Sequence, residues 1–216
     1  MNSQLLDTII KPINQLNLYG YNKIFNDFKL LYKNNKLPNT ILLSGAKGSG
    51  KSTFLFHFIN FLLSENENLK YLYDNYKINA GNSSFNLVQN GTHSNFFLLD
   101  SINSDDIKID QVRKLIKFVS KTTFYKGIKI VLIDNAENLN INSSNALLKS
   151  IEEPNPETFF FIVNNDSYNI PYTLKSRCVN FKVHFTAEEK KSIFKKIVSD
   201  YNINYTENDL DRFFLF

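Results

Sequence analysis

The sequence predicts an α/β fold in which a five-stranded parallel sheet is covered by helices on both faces. Five short runs of apolar, β-branched or aromatic residues alternate along the chain with segments of helical periodicity. Strands that are apolar along their whole length are typical of parallel sheets buried on both faces. The runs are TILLS (40–44), FFLLD (96–100), IKIVLID (128–134), FFFIV (159–163) and CVNFKV (178–183).

Three of the intervening segments carry helix signals of their own. Asp110 is a good N-cap, and the residues after it repeat apolar side chains at helical spacing. This apolar face consists of Val112, Leu115, Ile116 and Val119. A second helix is predicted from Asn142 to a stop at Pro154, because proline cannot continue a helix. Thr186 followed by Glu189 forms a capping box, which predicts a third helix.

The chain is predicted to divide near residue 184, where the sheet ends. Residues 1–184 would form the α/β core, and residues 185–216 would form the start of a small helical lid that is incomplete in this chain. Those last residues are too few to make a stable domain alone. Within the core, the polar and turn-rich segment 65–94 is expected to be a long loop or an insertion.

Composition limits the class of protein. The chain has 216 residues, of which 43% are hydrophobic, and this is enough for a proper core. Its one cysteine, Cys178, excludes an internal disulfide framework and a multi-cysteine zinc site. No apolar run approaches the ~20 residues that span a bilayer, and the N-terminal sequence lacks the features of a secretory signal. We therefore expect a cytoplasmic protein without zinc and without a membrane partner.

A glycine-rich motif, GAKGSGKST, runs from Gly45 to Thr53, between the first predicted strand and the apolar segment FLFHFINFLL. It satisfies the pattern G-x-x-x-x-G-K-[ST], in which backbone N–H groups surround phosphates at a helix N-terminus. The glycines that permit this backbone path are Gly45, Gly48 and Gly50. Lys51 is expected to reach the β- and γ-phosphates, and Ser52 to bind Mg²⁺. The motif therefore predicts a nucleotide-binding site; the alternative is a glycine-rich turn met by chance.

Asp134 ends the third predicted strand and is the natural partner of Ser52 at the metal. An alternative interpretation makes Asp134 a helix cap or a turn residue. Hydrolysis also needs a group that takes a proton from water, and the amide of Asn135 cannot do so. Glu137, two positions further on, is the nearest substitute base. The sequence thus predicts nucleotide binding and leaves hydrolysis open.

The order of motifs resembles the AAA+ clamp-loader ATPases, and most closely the subunits of bacterial DNA polymerase III. The resemblance covers nearly all of residues 16–184 and rests on the phosphate loop and four further segments. These segments are IDQVRKLIKFVS, KIVLIDNAENLN, SSNALLKSIEEPNPETFFFIVNND and LKSRCVNFKV. Nucleotide kinases and other phosphate-loop folds do not share the pairing of NALLKSIEEP with SRC. The resemblance implies an AAA+ P-loop NTPase fold with ATP and Mg²⁺ as its ligands.

The resemblance also implies roles for single residues. Arg177 in SRC matches the arginine that clamp-loader subunits extend into the ATP site of a neighbouring subunit, where a guanidinium stabilises charge on the γ-phosphate. Asn165 matches the polar sensor that follows the fourth strand and contacts the γ-phosphate. Tyr19 and Gly20, in the segment NLYGY, match the segment that packs on the adenine.

Three cations on the predicted helix after Asp110 suggest a further contact. The cations are Arg113, Lys114 and Lys117. In clamp loaders the matching helix faces the DNA duplex, and three cations there could contact phosphates without regard to base sequence. A solvated helix face explains the same residues equally well.

The resemblance implies a clamp-loader subunit that works with other clamp-loader subunits, a sliding clamp and primed DNA. Such a subunit would hold ATP, turn it over poorly by itself and donate Arg177 to a neighbour. Two alternatives remain: a hydrolytically active AAA+ motor subunit of the same complex, and a small-molecule P-loop kinase. Two family features are missing: a four-cysteine zinc module before Asp134, and a second sensing arginine with a helical collar, expected beyond Phe216. Their absence fits either a fragment or a reduced relative.

Overall fold

A computed structural model of the chain describes residues 11–101, 106–121, 127–155 and 157–202. Five strands form one sheet in the order β2-β3-β4-β1-β5, and all neighbouring strands are parallel. The strands are β1 (Thr40–Gly45), β2 (Phe96–Leu99), β3 (Lys129–Ile133), β4 (Thr158–Asn165) and β5 (Val179–Val183). Each of the five apolar runs forms one strand, so the predicted sheet is confirmed.

Seven α-helices and two short 3-10 turns are found in the described part of the chain. The helices are α1 (Asn22–Lys33), α2 (Lys51–Leu63), α3 (Ser83–Gln89), α4 (Ile109–Ser120), α5 (Ile141–Glu152), α6 (Tyr172–Lys175) and α7 (Ala187–Asp200). The 3-10 turns are Pro12–Asn14 and Ala136–Asn138. None of these helices has the length and apolar character that a membrane span requires.

Helices cover both faces of the sheet, and the alternation of side chains along each strand explains how. Phe159, Phe161 and Val163 of β4 pack into a core shared with α1, α2 and α3. Phe160 and Ile162 point to the opposite face and pack with α4, α5 and α6. Successive strand residues face opposite sides, so a strand that is buried on both sides must be apolar throughout.

Aromatic rings dominate the core on the α1 and α2 face. Phe25 of α1 stacks on Tyr71 with ring centroids 5.1 Å apart and meets Phe58 of α2 edge-on at 5.6 Å. Such ring pairs add stabilisation beyond the area that they bury. This core holds α2, and with it the phosphate loop, firmly against β1.

Two predicted helix starts differ from the structure. Helix α4 has its N-cap at Lys108, so Asp110 lies within the first turn. Its negative charge there interacts favourably with the positive end of the helix dipole. Helix α5 has its N-cap at Asn140, whose side chain accepts a hydrogen bond from the Ser143 N–H. Both helices begin two residues earlier than expected, because a polar residue two positions before the predicted cap takes the N-cap position in each case. The capping box of Thr186 at the start of α7 is confirmed.

The segment 65–94 is more ordered than predicted. It contains α3, whose N-cap Asn82 accepts a hydrogen bond from the Phe85 N–H at 2.7 Å. Tyr71, Ile78 and Phe85 are buried in the main core. A polar and turn-rich composition predicts a loop here, and the observed order comes from the apolar residues of the segment that pack into the core.

Helix α7 follows the sheet and contacts the start of the chain. Phe185, just before α7, meets Tyr21 edge-on with ring centroids 5.2 Å apart. The sequence division at residue 184, with a lid after it, stays a prediction, and residues 203–216 lie outside the described part of the chain.

A buried histidine in α2 gives a pH-dependent prediction. Burial lowers the pKa of His57 to about 3, and Nδ1 lies 3.0 Å from the Tyr71 hydroxyl. The unfolded chain therefore binds a proton near pH 6.5 that the folded chain excludes, so the free energy of unfolding should fall as pH drops below 6.5. We expect this residue to account for a loss of roughly 2 kcal/mol between pH 7 and pH 5.

The measurement is urea unfolding from pH 8 to pH 5 for the parent, His57→Gln and His184→Gln. The exposed residue His184 serves as the control. Of the two variants, only His57→Gln should reduce the loss of unfolding free energy as pH falls. A parent-like pH profile for His57→Gln would show that the buried imidazole does not carry this dependence.

Candidate functional site

The carboxyl ends of three neighbouring strands form the candidate site. Strands β1, β3 and β4 lie side by side and run in the same direction. The segments that follow Gly45, Ile133 and Asn165 therefore leave the sheet at one edge, which is where α/β sheets bind their ligands. The fold thus brings together motifs that are more than a hundred residues apart.

The phosphate loop, residues 46–50, turns the chain from β1 into α2. Gly48 and Gly50 have φ angles of 75° and 87°, which glycine adopts without steric cost. Gly50 is the N-cap of α2, so the loop ends where unpaired N–H groups and the helix dipole attract anions. Thr53 lies in the first turn of α2 and is half-buried.

Gly45 lies one step earlier, inside the sheet. A Cβ atom on Gly45 would lie 2.5 Å from the Val183 carbonyl oxygen of β5, so no larger residue fits without a backbone shift. Glycine is required at position 45 because β1 and β5 approach each other closely directly before the loop.

Lys51 is the first residue of α2 and is only 3% exposed. Its Nζ donates to Gly45 O at 2.9 Å, Ala46 O at 2.6 Å and Asn165 Oδ1 at 3.1 Å. Burial lowers the pKa of Lys51, while nearby carboxylates act in the opposite direction. Within the described ranges, no carboxylate forms a direct ion pair with Nζ. A buried cation that is bonded to neutral oxygens favours the arrival of an anion.

Ser52 and Asp134 meet at the same edge. Ser52 Oγ donates to Asp134 Oδ1 at 2.8 Å, and the carboxyl is buried. Burial raises the pKa of Asp134 to about 6, the Ser52 hydrogen bond opposes this rise, and the charge of Asp100 adds to it. The structure thus brings together the two residues that the sequence pairs at a metal, and the role of Asp134 at a metal stays a prediction beside the alternative of a helix cap or a turn residue.

The same pair of oxygen ligands fits Mg²⁺. A hydroxyl and a carboxylate are hard donors, and Mg²⁺ in nucleotide sites takes one or two carboxylates together with phosphates and water. In the part of the chain that the structure describes, no group of three or more His, Cys, Asp or Glu side chains is placed to hold a metal. The protein would therefore share the ion with phosphate oxygens.

Asn165, at the end of β4, connects Lys51 to Glu137. Its Oδ1 accepts from Lys51 Nζ, and its Nδ2 donates to Glu137 Oε1. Both ends of the amide are used, so the orientation of the Asn165 side chain is fixed. Glu137 Oε2 is buried and has no hydrogen-bond partner among the described residues. The site thus contains one carboxylate oxygen that can still accept a proton donor such as water.

Asn135 adopts a left-handed φ of 54° and directs its amide towards the end of β2. Its Nδ2 donates to Asp100 Oδ1 at 3.0 Å, and its N–H donates to Asp134 Oδ1 at 3.0 Å. Asp100 was not among the sequence-predicted site residues. The available signal was its position, because Asp100 follows a buried apolar run just as Asp134 does.

Tyr19 and Gly20 lie against helix α7. Tyr19 Oη donates to Asp200 Oδ2 at 2.8 Å. A Cβ atom on Gly20 would lie 2.3 Å from Ile193 Cδ1, so this glycine admits the helix side chain. The structure therefore places both residues against α7, and their packing on an adenine stays a prediction.

Tyr21, which the sequence analysis did not select, is the residue of NLYGY that contacts the phosphate loop. Its Oη donates to the Ser49 carbonyl at 3.0 Å, and its ring stacks on Phe54 of α2 with centroids 4.8 Å apart. The ring is buried, and a Cβ atom on Gly50 would lie 3.4 Å from it. Tyr21 thus supports the loop from the side of the core.

Arg177 lies at the opposite edge of the sheet. It precedes β5, in which Val179 pairs with Ile41 at the amino end of β1. Gly45 is four residues further along β1, so strand rise alone separates the two edges by about 13 Å. Arg177 is therefore not brought to the phosphate loop of its own chain.

The cations of α4 are exposed. Arg113 pairs with Asp110 at 2.9 Å, and both side chains are more than half exposed. Lys114 and Lys117 are exposed on the same side of the helix. An exposed pair of this kind contributes little to stability, so these cations are free to exchange partners.

The comparison with protein families decides the class. A family model described as DNA polymerase III, delta subunit matches residues 20–187. The chain belongs to this family. The resemblance to AAA+ clamp-loader subunits is thereby confirmed, and the relatives point to the delta' type. The alternative of a small-molecule kinase finds no support in this match.

Two curated relatives of the delta' type show how much of the chain is shared. DNA polymerase III subunit delta' of Pseudomonas aeruginosa is 42% identical over 94 residues, which cover 43% of this chain and 29% of that protein. The subunit delta' of Escherichia coli strain K12 is 26% identical over 165 residues, which cover 74% of this chain and 47% of that protein. The chain thus spans about a third to a half of the length of these relatives.

A solved structure confirms the fold. The RuvB Holliday junction branch migration motor of Thermotoga maritima matches with a TM-score of 0.52 and 15% sequence identity. The match covers 89% of this chain and 56% of that one. Together with the sheet order, this likeness supports the AAA+ P-loop fold that the resemblance implied.

The buried carboxyl of Asp134 gives a stability prediction for this family member. Because burial raises its pKa to about 6, the folded chain binds a proton between pH 6 and pH 4 that the unfolded chain does not. The charged carboxylate therefore costs stability at pH 8, and the cost disappears as pH falls towards 4. Asp134→Asn, which keeps an acceptor for Ser52, should stabilise the nucleotide-free protein at pH 8 by roughly 1–3 kcal/mol.

Denaturant unfolding at pH 8, 6 and 4.5 measures this difference, with Asp74→Asn at an exposed position as the matched control. The extra stability of Asp134→Asn over the parent should decrease as pH falls, whereas the stability of Asp74→Asn should stay near that of the parent at each pH. A variant that is less stable than the parent at pH 8 would mean that the carboxylate stabilises the empty site.

Proposed function

We propose that this chain is a delta'-type subunit of a DNA polymerase III clamp loader that binds ATP with Mg²⁺ and hydrolyses it slowly by itself. The observation that carries this proposal is the buried Lys51 ammonium, which is bonded to neutral oxygens at the N-terminus of α2. The phosphates of a nucleotide would supply the missing negative charge. The backbone N–H groups of the loop and the helix dipole would add to that attraction.

Mg²⁺ would be held by Ser52 and Asp134 together with the phosphates. When bound, this ion neutralises charge on the β- and γ-phosphates. The Ser52 hydroxyl and the Asp134 carboxylate already lie within hydrogen-bond distance, so the protein ligands need little rearrangement. Charge on the ion would also favour the ionised form of Asp134.

Slow turnover is expected from the residues beside Asp134. The amide of Asn135 cannot take a proton from water, and it donates to Asp100. Glu137 is another acid near Lys51, and one of its oxygens accepts from Asn165. The remaining oxygen of Glu137 is buried and without a partner among the described residues, and this favours a second candidate, an active motor subunit in which Glu137 is the base.

Arg177 would act on a neighbouring subunit. Its position at the amino edge of the sheet separates it from its own phosphate loop, so its cationic group can stabilise a γ-phosphate only in another chain. The other proposed partners are the sliding clamp and primed DNA. Arg113, Lys114 and Lys117 would contact DNA phosphates without sequence preference, because their side chains are exposed on α4. We place this assembly in the cytoplasm.

Nucleotide binding is tested with Lys51→Met and the matched control Lys47→Met. Lys47 lies in the same loop, but it is exposed. Loss of a charge-assisted hydrogen bond should weaken Mg·ATP binding about tenfold or more for Lys51→Met, and Lys47→Met should remain near the parent. Isothermal titration calorimetry on folded variants measures both, and equal affinity of the parent and Lys51→Met would contradict the proposed site.

The role of Arg177 is tested in a clamp loader reconstituted with the full-length protein. Arg177→Ala should lower the ATPase rate of the complex by about 10³-fold or more if the neighbour's hydrolysis limits that rate. The ATP affinity of the isolated subunit should not change. Lys175→Ala, at an exposed position two residues away, is the control. A normal ATPase rate of an intact complex with Arg177→Ala would contradict the proposed action of Arg177 on a neighbouring subunit.

A further inference from the structure

Arg177 is held in place by two contacts from its own chain. Its Nε lies 3.1 Å from Glu152 Oε2, and one of its terminal nitrogens, Nη1, donates to the Thr173 carbonyl at 2.8 Å. The Arg177 side chain remains 32% exposed. These two contacts give the guanidinium a preferred position at the protein surface.

The two contacts leave part of the guanidinium unused. Arginine has five N–H donors, and these contacts take one from Nε and one from Nη1. The two N–H groups of Nη2 and one of Nη1 remain for another acceptor. Tyr172, the first residue of the short helix α6 that also contains Thr173, is 81% exposed. An arginine fixed in this way can meet a phosphate without first losing the freedom of its long side chain.

The position of Glu152 argues against a purely structural role. Glu152 is the last residue of α5, and Glu153 is its C-cap, so two negative charges lie at the negative end of the helix dipole. That arrangement is electrostatically unfavourable for the helix. The Glu152 carboxylate is also 55% exposed, and an exposed ion pair adds little stability. Stability of α5 therefore gives no reason for a glutamate at this position.

We infer that Glu152 is a positioning residue for Arg177, which orients the guanidinium towards the nucleotide of a neighbouring subunit. This inference rests on the proposed role of Arg177. Glu152 and Arg177 both lie at the amino edge of the sheet, since α5 ends just before β4 and Arg177 just before β5. One surface then carries both the cation and the carboxylate that aligns it.

The test compares Glu152→Gln with Glu153→Gln in the reconstituted complex that contains the full-length protein. Without the charged partner, Arg177 must lose side-chain freedom on each encounter, so the kcat of the complex should fall about two- to tenfold. The KM of the complex for ATP should stay unchanged, and so should the melting temperature of the isolated subunit. Glu152→Asp should restore part of the rate, and Glu153→Gln should leave it unchanged.

A double variant separates this inference from the proposed function. In an Arg177→Ala complex, Glu152→Gln should have no further effect on kcat, because nothing remains to be positioned. If Arg177→Ala itself has no effect, the proposed function fails. If Arg177→Ala slows the complex but Glu152→Gln leaves it unchanged, only the positioning role fails. A faster complex with Glu152→Gln would show instead that Glu152 competes with the phosphate for Arg177.

Discussion

The candidate site depends on one buried charge, the ammonium of Lys51. Removing a cation from water is costly unless hydrogen bonds replace its hydration. Here the replacements come from the last carbonyl of β1, the first carbonyl of the loop and the side chain of Asn165 on β4. They reach Lys51 only because β1 and β4 are adjacent and end together, with Gly45 paired to Asn165. The parallel sheet is thus the element that positions the charge.

This arrangement also divides the functional groups between two edges of the sheet. The phosphate loop, Asp134 and Asn165 lie at the carboxyl edge, and Arg177 with Glu152 lies at the amino edge. Under the proposed function, one chain would supply the binding half of one nucleotide site and the arginine of another, but not both parts of the same site. Because Asn135 cannot take a proton from water, we propose that the arginine is the larger contribution of this chain to ATP hydrolysis in the assembly.

Much of the fold was predictable from the sequence because its signals are local. Strands β1 to β4 are mostly apolar runs, whereas the edge strand β5 alternates apolar with polar residues and is mostly exposed. The phosphate loop is a contiguous motif whose neighbours in sequence are also its neighbours in space. The pairing of Ser52 with Asp134 followed from the phosphate-loop motif and from the position of Asp134 at the end of the third predicted strand. The segment 65–94 was missed because its order comes from tertiary packing of isolated residues such as Tyr71 and Phe85.

The contacts that refine the site were not predictable from the sequence. The link from Asn165 to Glu137 and the hydrogen bond from Tyr21 to the loop join residues far apart in the chain, with no shared periodicity. The pairing of Arg177 with Glu152 is of the same kind, because it depends on where α5 ends relative to β5. Sequence patterns indicate residue types at the site, whereas side-chain orientation follows from packing.

The most direct test of the account is to measure Mg·ATP binding and ATP turnover on the same preparation of the isolated full-length protein. The account predicts saturable binding with turnover far below the ~1–100 s⁻¹ of ordinary phosphoryl-transfer enzymes. Turnover within that range would contradict the account and favour Glu137 as a working base. Absence of saturable binding would contradict nucleotide binding itself, because the phosphates of ATP would then not pair with the buried Lys51 ammonium.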